Sequence, residues 1–213
     1  QAITAEKLRE LPVDNHSQAV ATKAGAVAAS DGLQVRGGRT GEVKFQFDGV
    51  EASDPLFGGA VNIASLAVSG TDILTGGIDA EYGGALSGVV SVTTKEGGER
   101  LSGEVRWDTD RYGDATKTFD NYDRFSFGFG GPTPLRNLTY FSTYEGTFSD
   151  TYLRSSMSRP RRTLFDFVQL GNRQSNQINT NLKLAYRPSP RNKITLETIN
   201  NRSVDTPYNF MWS

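Results

Sequence analysis

The sequence predicts a small mixed α/β unit over residues 1–98, followed over residues 99–213 by antiparallel strands of the transmembrane β-barrel type. Three observations predict this. Hydrophobic residues make up only 36% of the 213, while glycines number 23 and aromatics reach 10%. That composition fits either a disordered chain or a β-protein whose strands alternate apolar and polar residues. The charge changes sign part-way: residues 1–98 hold seven basic and twelve acidic side chains, the remainder sixteen and twelve. Finally, loops in the second part alternate long, short, long, short between strands of about 8–12 residues. Strands of roughly 9–11 residues cross a bilayer at a tilt, with short turns on one side and long loops on the other.

In the first part, Thr4 is placed to cap a helix from Ala5 to Glu10 that ends before Pro12. Ser17 to Lys23 reads as a second helix, which Gly25 terminates. Leu33 to Arg36 alternates as a strand, and Gly37 to Gly41 is a turn. Val43 to Phe47 alternates again and ends at Asp48-Gly49, a strong hairpin pair. Glu51 to Asn62 is a loop, and Asp72 to Thr75 a short strand. Gly76 to Gly88 is a glycine-punctuated crossing. Val89 to Thr94, rich in β-branched residues, is the last strand before the polar linker Lys95 to Glu99.

In the second part, Leu101 to Asp108 is a strand followed by a polar loop, Thr109 to Asn121. Tyr122 to Gly130 places Phe125, Phe127 and Phe129 on one face and Arg124, Ser126 and Gly128 on the other. Pro132 to Arg136 is a tight turn, and Asn137 to Phe148 is the third strand. After a long loop to about Gln177, Ile178 to Tyr186 sets Ile178, Leu182, Leu184 and Tyr186 against Asn179, Asn181 and Lys183. Pro188 to Arg191 is a tight turn before the fifth strand, Lys193 to about Ser203. Lipid cannot satisfy backbone polar groups, so only closed barrels or helices span it. Alternating strands also build soluble sandwiches, which bury one face in a core. Trp107, Tyr122, Tyr140 and Tyr186 suit an interfacial girdle but also a soluble edge.

Composition excludes several chemistries. There is no cysteine, hence no disulfide, thiol nucleophile or thiolate metal site. The one histidine, His16, rules out a multi-histidine metal centre. A Ser-His-Asp triad also lacks its strand-to-helix turn. The glycines lack the Gly-Lys-Ser/Thr ending of a phosphate loop. The reading is therefore not an enzyme, with no metal and no cofactor. A net charge of −1 and pI near 5.9 provide no global electrostatic reason to bind nucleic acid. No run approaches the ~18–20 apolar residues of a membrane helix, and no signal peptide is visible at Gln1.

Four motifs then follow in order: Val35-Arg36-Gly37-Gly38-Arg39, Phe47-Asp48-Gly49-Val50, Ile73 to Gly83 with Ala80-Glu81-Tyr82-Gly83, and Ser87 to Lys95. Together they resemble the plug domain of TonB-dependent outer-membrane receptors, in the branch with an upstream carboxypeptidase-regulatory-like domain. The resemblance covers roughly residues 3–98, and strands follow at once, as in that family.

The resemblance implies a plug inside a barrel of about 22 strands. It implies uptake of a scarce nutrient (a metal chelate, glycan or peptide) driven through TonB and its inner-membrane energising complex. The expected setting is the cell outer membrane of a Gram-negative-type bacterium, against lipid and lipopolysaccharide, with an unknown extracellular ligand. The alternative is a structural or surface-docking protein that uses the same fold without transport. A soluble β-rich binding protein is a third reading.

In the family's pattern Arg36 faces barrel-wall carboxylates, which suits a guanidinium that pairs bidentately. Glu81 and Tyr82 join it as plug–barrel contacts, with Tyr82 packing beside Gly83. Gly70 and Thr75 stand where many members carry arginines, so a second arginine lock does not carry over. Arg39, Glu42, Asp54, Phe57 and Asn62 belong to the two ligand-facing apices, where solvated turns are the bland reading. Gly37, Asp48, Gly49, Gly83 and Gly88 are structural turn positions. Arg159, Arg161 and Arg162 form a basic cluster in the second long loop, a lipopolysaccharide-facing patch or simply a solvated loop. Five strands cannot close such a barrel. The sequence therefore reads as an internal stretch, with the TonB-contact segment upstream of Gln1 and Trp212-Ser213 in a third outer loop.

Overall fold

The computed structural model describes residues 2–4, 6–7, 16–23, 25–29, 32–52, 62–75, 87–110, 121–150, 163–164, 168–169 and 173–205. Two five-stranded sheets organise them.

The first sheet is mixed. Its strands are β1 (Ala2–Thr4), β4 (Val43–Phe47), β5 (Val50–Glu51), β6 (Val68–Leu74) and β7 (Gly88–Thr94), in the order β1-β6-β7-β4-β5. β4 and β7 run parallel, with Phe45 opposite Val90, and the other pairs are antiparallel. Beside it lie helix α1 (His16–Ala21) and a hairpin of β2 (Ala26–Ala29) and β3 (Gly32–Val35). Val43, Phe45 and Phe47 alternate inward along β4. They form one buried cluster with Ala19 and Val20 of α1, Leu33 and Val35 of β3, and Ile73, Val90 and Val92. Period-2 alternation puts one face of each strand in that core.

Val43–Phe47 forms as the alternation predicts, and so does the run ending at Thr94. Other elements differ. Residues 6 and 7 are helical, and the Lys7 N–H donates to Thr4 Oγ1 at 3.4 Å, as a cap does, but Ala2–Thr4 itself is a strand against β6. The strand predicted at Asp72 starts four residues earlier, because Gly70 and Thr71 pair with Thr4 and Ile3. β2 carries three alanines and a single β-branched residue, Val27, a weak strand signal that pairing with β3 overrides. Arg36, read as the end of a strand, leaves it with φ +50.

The second sheet is antiparallel throughout: β8 (Ser102–Thr109), β9 (Asp123–Pro132), β10 (Leu138–Ser149), β13 (Ser175–Ser189) and β14 (Asn192–Asp205), in the order β14-β13-β10-β9-β8. These are the five strands the loop rhythm predicts. β13 begins earlier than expected, at Ser175, and a two-residue ladder of β11 (Thr163–Leu164) and β12 (Val168–Gln169) falls within the second long connection. Both short turns and the start of β8 lie at one end of the sheet: Leu138 pairs with Tyr186, and Ser102 with Gly130.

Its faces are inverted relative to a water-soluble sheet. Arg124, Ser126, Thr143, Glu145, Asn179, Asn181 and Lys183 are buried. On the opposite face Val105, Trp107, Phe129, Leu182, Ile194 and Leu196 are exposed. Leu196 is 68% exposed and Lys183 3%. A soluble sandwich does the reverse, since apolar area buried from water is its main stabilisation. Among the described residues no helix is long and apolar enough to cross a membrane.

Candidate functional site: the polar seam between the two sheets

The first sheet packs on the polar face of the second, and the contact centres on Lys183. Its ammonium donates to Asp48 Oδ2 at 2.7 Å and to Thr94 Oγ1 at 2.9 Å, and lies 3.4 Å from Glu96 Oε1. Three separate pieces of backbone thus meet one residue of the second sheet: the β4–β5 turn, the end of β7 and the linker into β8.

Local sequence explains why the carboxylate is there. Asp48 (φ +48) and Gly49 (φ +85) both take left-handed angles, as a tight two-residue hairpin requires. That turn brings Asp48 against the end of β7. The Thr94 N–H donates to Oδ1 at 3.2 Å and its hydroxyl to Oδ2 at 2.5 Å. Burial pushes the Asp48 carboxyl up, but the hydrogen bonds from Lys183 and Thr94 outweigh it and hold the group below its ordinary range. Glu96 is also held low, because hydrogen bonding from Lys193 and the charges of Lys183 and Lys193 exceed the effect of its burial. Arg187 joins it at 2.8 Å.

The linker lies tight on the second sheet. A Cβ at Gly97 would meet the Tyr140 carbonyl oxygen at 2.1 Å, so only glycine fits. The Lys95 ammonium sits 5.8 Å from the Phe141 ring centroid, a cation–π contact. A second seam lies on β10: Glu145 accepts from the Ser65 N–H at 3.2 Å and from the Ser126 hydroxyl at 3.3 Å. Between the β4–β5 hairpin and β14 lies a cavity of about 750 Å³, lined by Phe47, Asp48, Val50, Lys193, Glu197 and Ile199 among others. Glu197 is opposite Lys183 in register and accepts from Asn181 at 2.7 Å.

Of the residues singled out from sequence, Asp48 and Gly49 form the hairpin turn at the seam. Arg36 is exposed beyond β3 with its N–H bonded to the Gly25 carbonyl at 2.7 Å, and it makes no ion pair among the described residues. Gly37 has φ +75, and Gly88 packs so closely on Val35 that a Cβ would meet it at 3.1 Å. Arg39 and Glu42 form a small reciprocal turn, the Arg39 N–H donating to Glu42 Oε2 at 3.0 Å. Asn62 is half-buried ahead of the short turn Ser65–Ala67. Asp54, Phe57, Glu81, Tyr82 and Gly83 lie outside the described residues, as do Arg159, Arg161, Arg162 and Trp212. Sequence reasoning missed Lys183, Thr94, Glu96 and Glu145. The one available signal was a lysine in mid-strand on a polar face. Among the described residues no group of three or more His, Asp or Glu is placed to hold a metal ion.

No protein-family model matches the chain, and no curated protein sequence does. Solved structures do. A point variant of the ferric enterobactin receptor PfeA of Pseudomonas aeruginosa matches 95% of this chain and 32% of its own, with 21% identity and a TM-score of 0.71. The siderophore receptor PirA of Pseudomonas aeruginosa matches 95% and 35%, with 21% identity and a TM-score of 0.68. The FrpB iron transporter of Neisseria meningitidis matches 94% and 31%, with 14% identity and a TM-score of 0.62. These are outer-membrane receptors and transporters rather than enzymes. The chain spans about a third of the length of each, and over that stretch its fold is that of TonB-dependent siderophore receptors.

Proposed function

We propose that residues 1–98 form the plug of a TonB-dependent outer-membrane transporter and residues 99–213 the first part of its barrel wall. One observation carries this reading. The second sheet turns its polar face toward the first sheet and its apolar face outward, with Lys183 at 3% exposure bonded to the plug hairpin. An outward apolar face is what a strand facing lipid needs, and an inward polar face is what a plugged lumen needs. On β14 the outward row changes from Ile194 and Leu196 to Asn200 and Arg202, whereas β8 and β9 stay apolar out to Trp107 and Phe125, which are level with Arg202 in the pairing register. A belt that runs diagonally across the register fits strands tilted in a bilayer.

The seam holds the plug through ion pairs and hydrogen bonds rather than a continuous apolar core. Such contacts are re-formed by water when broken, which suits a plug that must rearrange and return. Force from TonB moves it, and the ligand passes without covalent chemistry. Ferric siderophores are the first ligand class to test, because PfeA and PirA are named for them. Membrane lipid and lipopolysaccharide surround the wall.

The test is uptake of ferric enterobactin and of a panel of ferric siderophores by cells carrying the full-length polypeptide, with and without TonB. Outer-membrane localisation with TonB-dependent uptake is the expected result. Outer-membrane localisation with no uptake of any ligand, and an unchanged plug on TonB removal, would favour the surface-docking reading.

A further inference from the structure

The short-turn end of the second sheet carries an unbalanced positive rim. Six basic side chains (Lys95, Arg100, Arg136, Arg187, Arg191 and Lys193) gather there with two acidic ones, Glu96 and Glu99. Glu96 already takes up Lys193 and Arg187. Arg100, Arg136 and Arg191 are left exposed and make no ion pair among the described residues. They stand one to each strand connection: before β8, in the β9–β10 turn and in the β13–β14 turn. The sheet order β14-β13-β10-β9-β8 sets them along one rim, roughly 7–10 Å apart from strand spacing alone. At the long-loop end Arg106 and Arg124 pair with Asp108 and Arg173 with Asp123, which among the described residues leaves Arg202 as a lone exposed arginine on the outward row.

What lies beside the three arginines indicates their partner. Leu101, Leu135, Tyr186 and Ile194 are exposed on the adjoining outward face. An arginine next to an apolar and tyrosine band sits where a bilayer's hydrocarbon gives way to headgroups. A guanidinium there meets phosphate in a fork geometry. We propose that Arg100, Arg136 and Arg191 form a binding row for anionic phospholipid headgroups in the leaflet on the short-turn side. This rests on the membrane reading above.

The full-length polypeptide, purified in detergent, is offered phosphatidylglycerol and phosphatidylcholine in competition, and bound lipid is counted by native mass spectrometry. A basic residue near an anionic surface contributes about a fivefold preference, so three contribute on the order of a hundredfold. The parent protein is expected to prefer phosphatidylglycerol strongly. The triple variant Arg100→Gln, Arg136→Gln, Arg191→Gln is expected to bind both lipids alike, whereas Arg202→Gln, at the other end, keeps the preference. If the triple variant does not fold, Arg136→Gln and Arg191→Gln singly are each expected to lose about fivefold.

An unchanged preference in these variants would overturn the proposal. So would an equal loss in Arg202→Gln, which would assign the preference to overall charge. Arginine-dependent capture of soluble polyglutamate without any lipid preference would reassign the row to an acidic protein. A protein that retains neither lipid would instead sink the membrane reading itself.

Discussion

Replacing Lys183 with methionine keeps the length and the aliphatic stem while removing the ammonium. Asp48 and Glu96, both on the first-sheet side of the seam, then lose the one ammonium that bonds them both. Breaking a fully buried ion pair costs about 3–5 kcal/mol. Here Lys183 is 3% exposed, but the side chains of Asp48 and Glu96 keep 26% and 23% of their exposure. Asp48 also retains both Thr94 donors, and Glu96 retains Arg187 and Lys193. Solvent screening and these remaining partners place the expected loss lower, at about 2–3 kcal/mol. That corresponds to roughly 30- to 150-fold in the opening equilibrium of the seam.

Amide hydrogen exchange on the full-length polypeptide in detergent reads it. The Thr94 N–H, bonded to Asp48, and the Lys95 N–H, bonded to the Ala67 carbonyl, are expected to exchange faster by that factor. The Val90 N–H in the middle of the first sheet serves as the internal control. Exchange at Thr94 and Lys95 within threefold of the parent would refute the reasoning. So would simple additivity of Lys183→Met and Asp48→Asn, since residues in one network are expected to couple.

Acid acts on the same seam. Asp48 and Glu96 are both held below their ordinary carboxyl values, so their contribution is complete above the unfolded value near pH 4 and is lost as pH falls below it. Exchange at Thr94, after correction for intrinsic rates, is expected to rise below about pH 4 unless Asp48 is already asparagine. Gly97→Ala forces a Cβ to within 2.1 Å of the Tyr140 carbonyl, a backbone clash that must shift the linker off β10. A loss of about 2–3 kcal/mol, in the range of overpacking, is expected in urea unfolding, with protease cleavage newly appearing at the linker. Arg173→Ala removes the cation from a pair that is 4% and 1% exposed and leaves the buried Asp123 carboxylate its hydrogen bond from the Trp107 indole N–H. A loss of about 3–5 kcal/mol is expected, seen as a lower midpoint of heat-modifiable gel migration, and the double variant with Asp123→Asn should recover part of it.

Much of this protein was legible one segment at a time. Val43 to Phe47 and Val89 to Thr94 could be placed from alternation and β-branched composition, because a pleat sends successive side chains to opposite faces whatever surrounds it. Asp48-Gly49 announced a hairpin because few other residue pairs accept two left-handed angles. The five strands of the second sheet, and the division of β9 and β13 into an apolar and a polar row, followed from the same period.

Alternation does not say which row faces inward; that depends on what packs against the sheet. Only the tertiary structure assigned the polar row to the interior and the leucines, valines and aromatics to the outside. β1 and β2 escaped detection because strands of three or four residues are too short to show a period and exist only through their partners, Gly70 to Asp72 and Gly32 to Val35. Lys183 and Asp48 are 135 residues apart in the chain, and nothing local in either sequence window refers to the other. Asp48 therefore read as a turn residue and Lys183 as one polar position among several. Their meeting depends on the strand order of both sheets and on where the linker crosses Tyr140, and so the seam was decided by the fold while its parts were written in the chain.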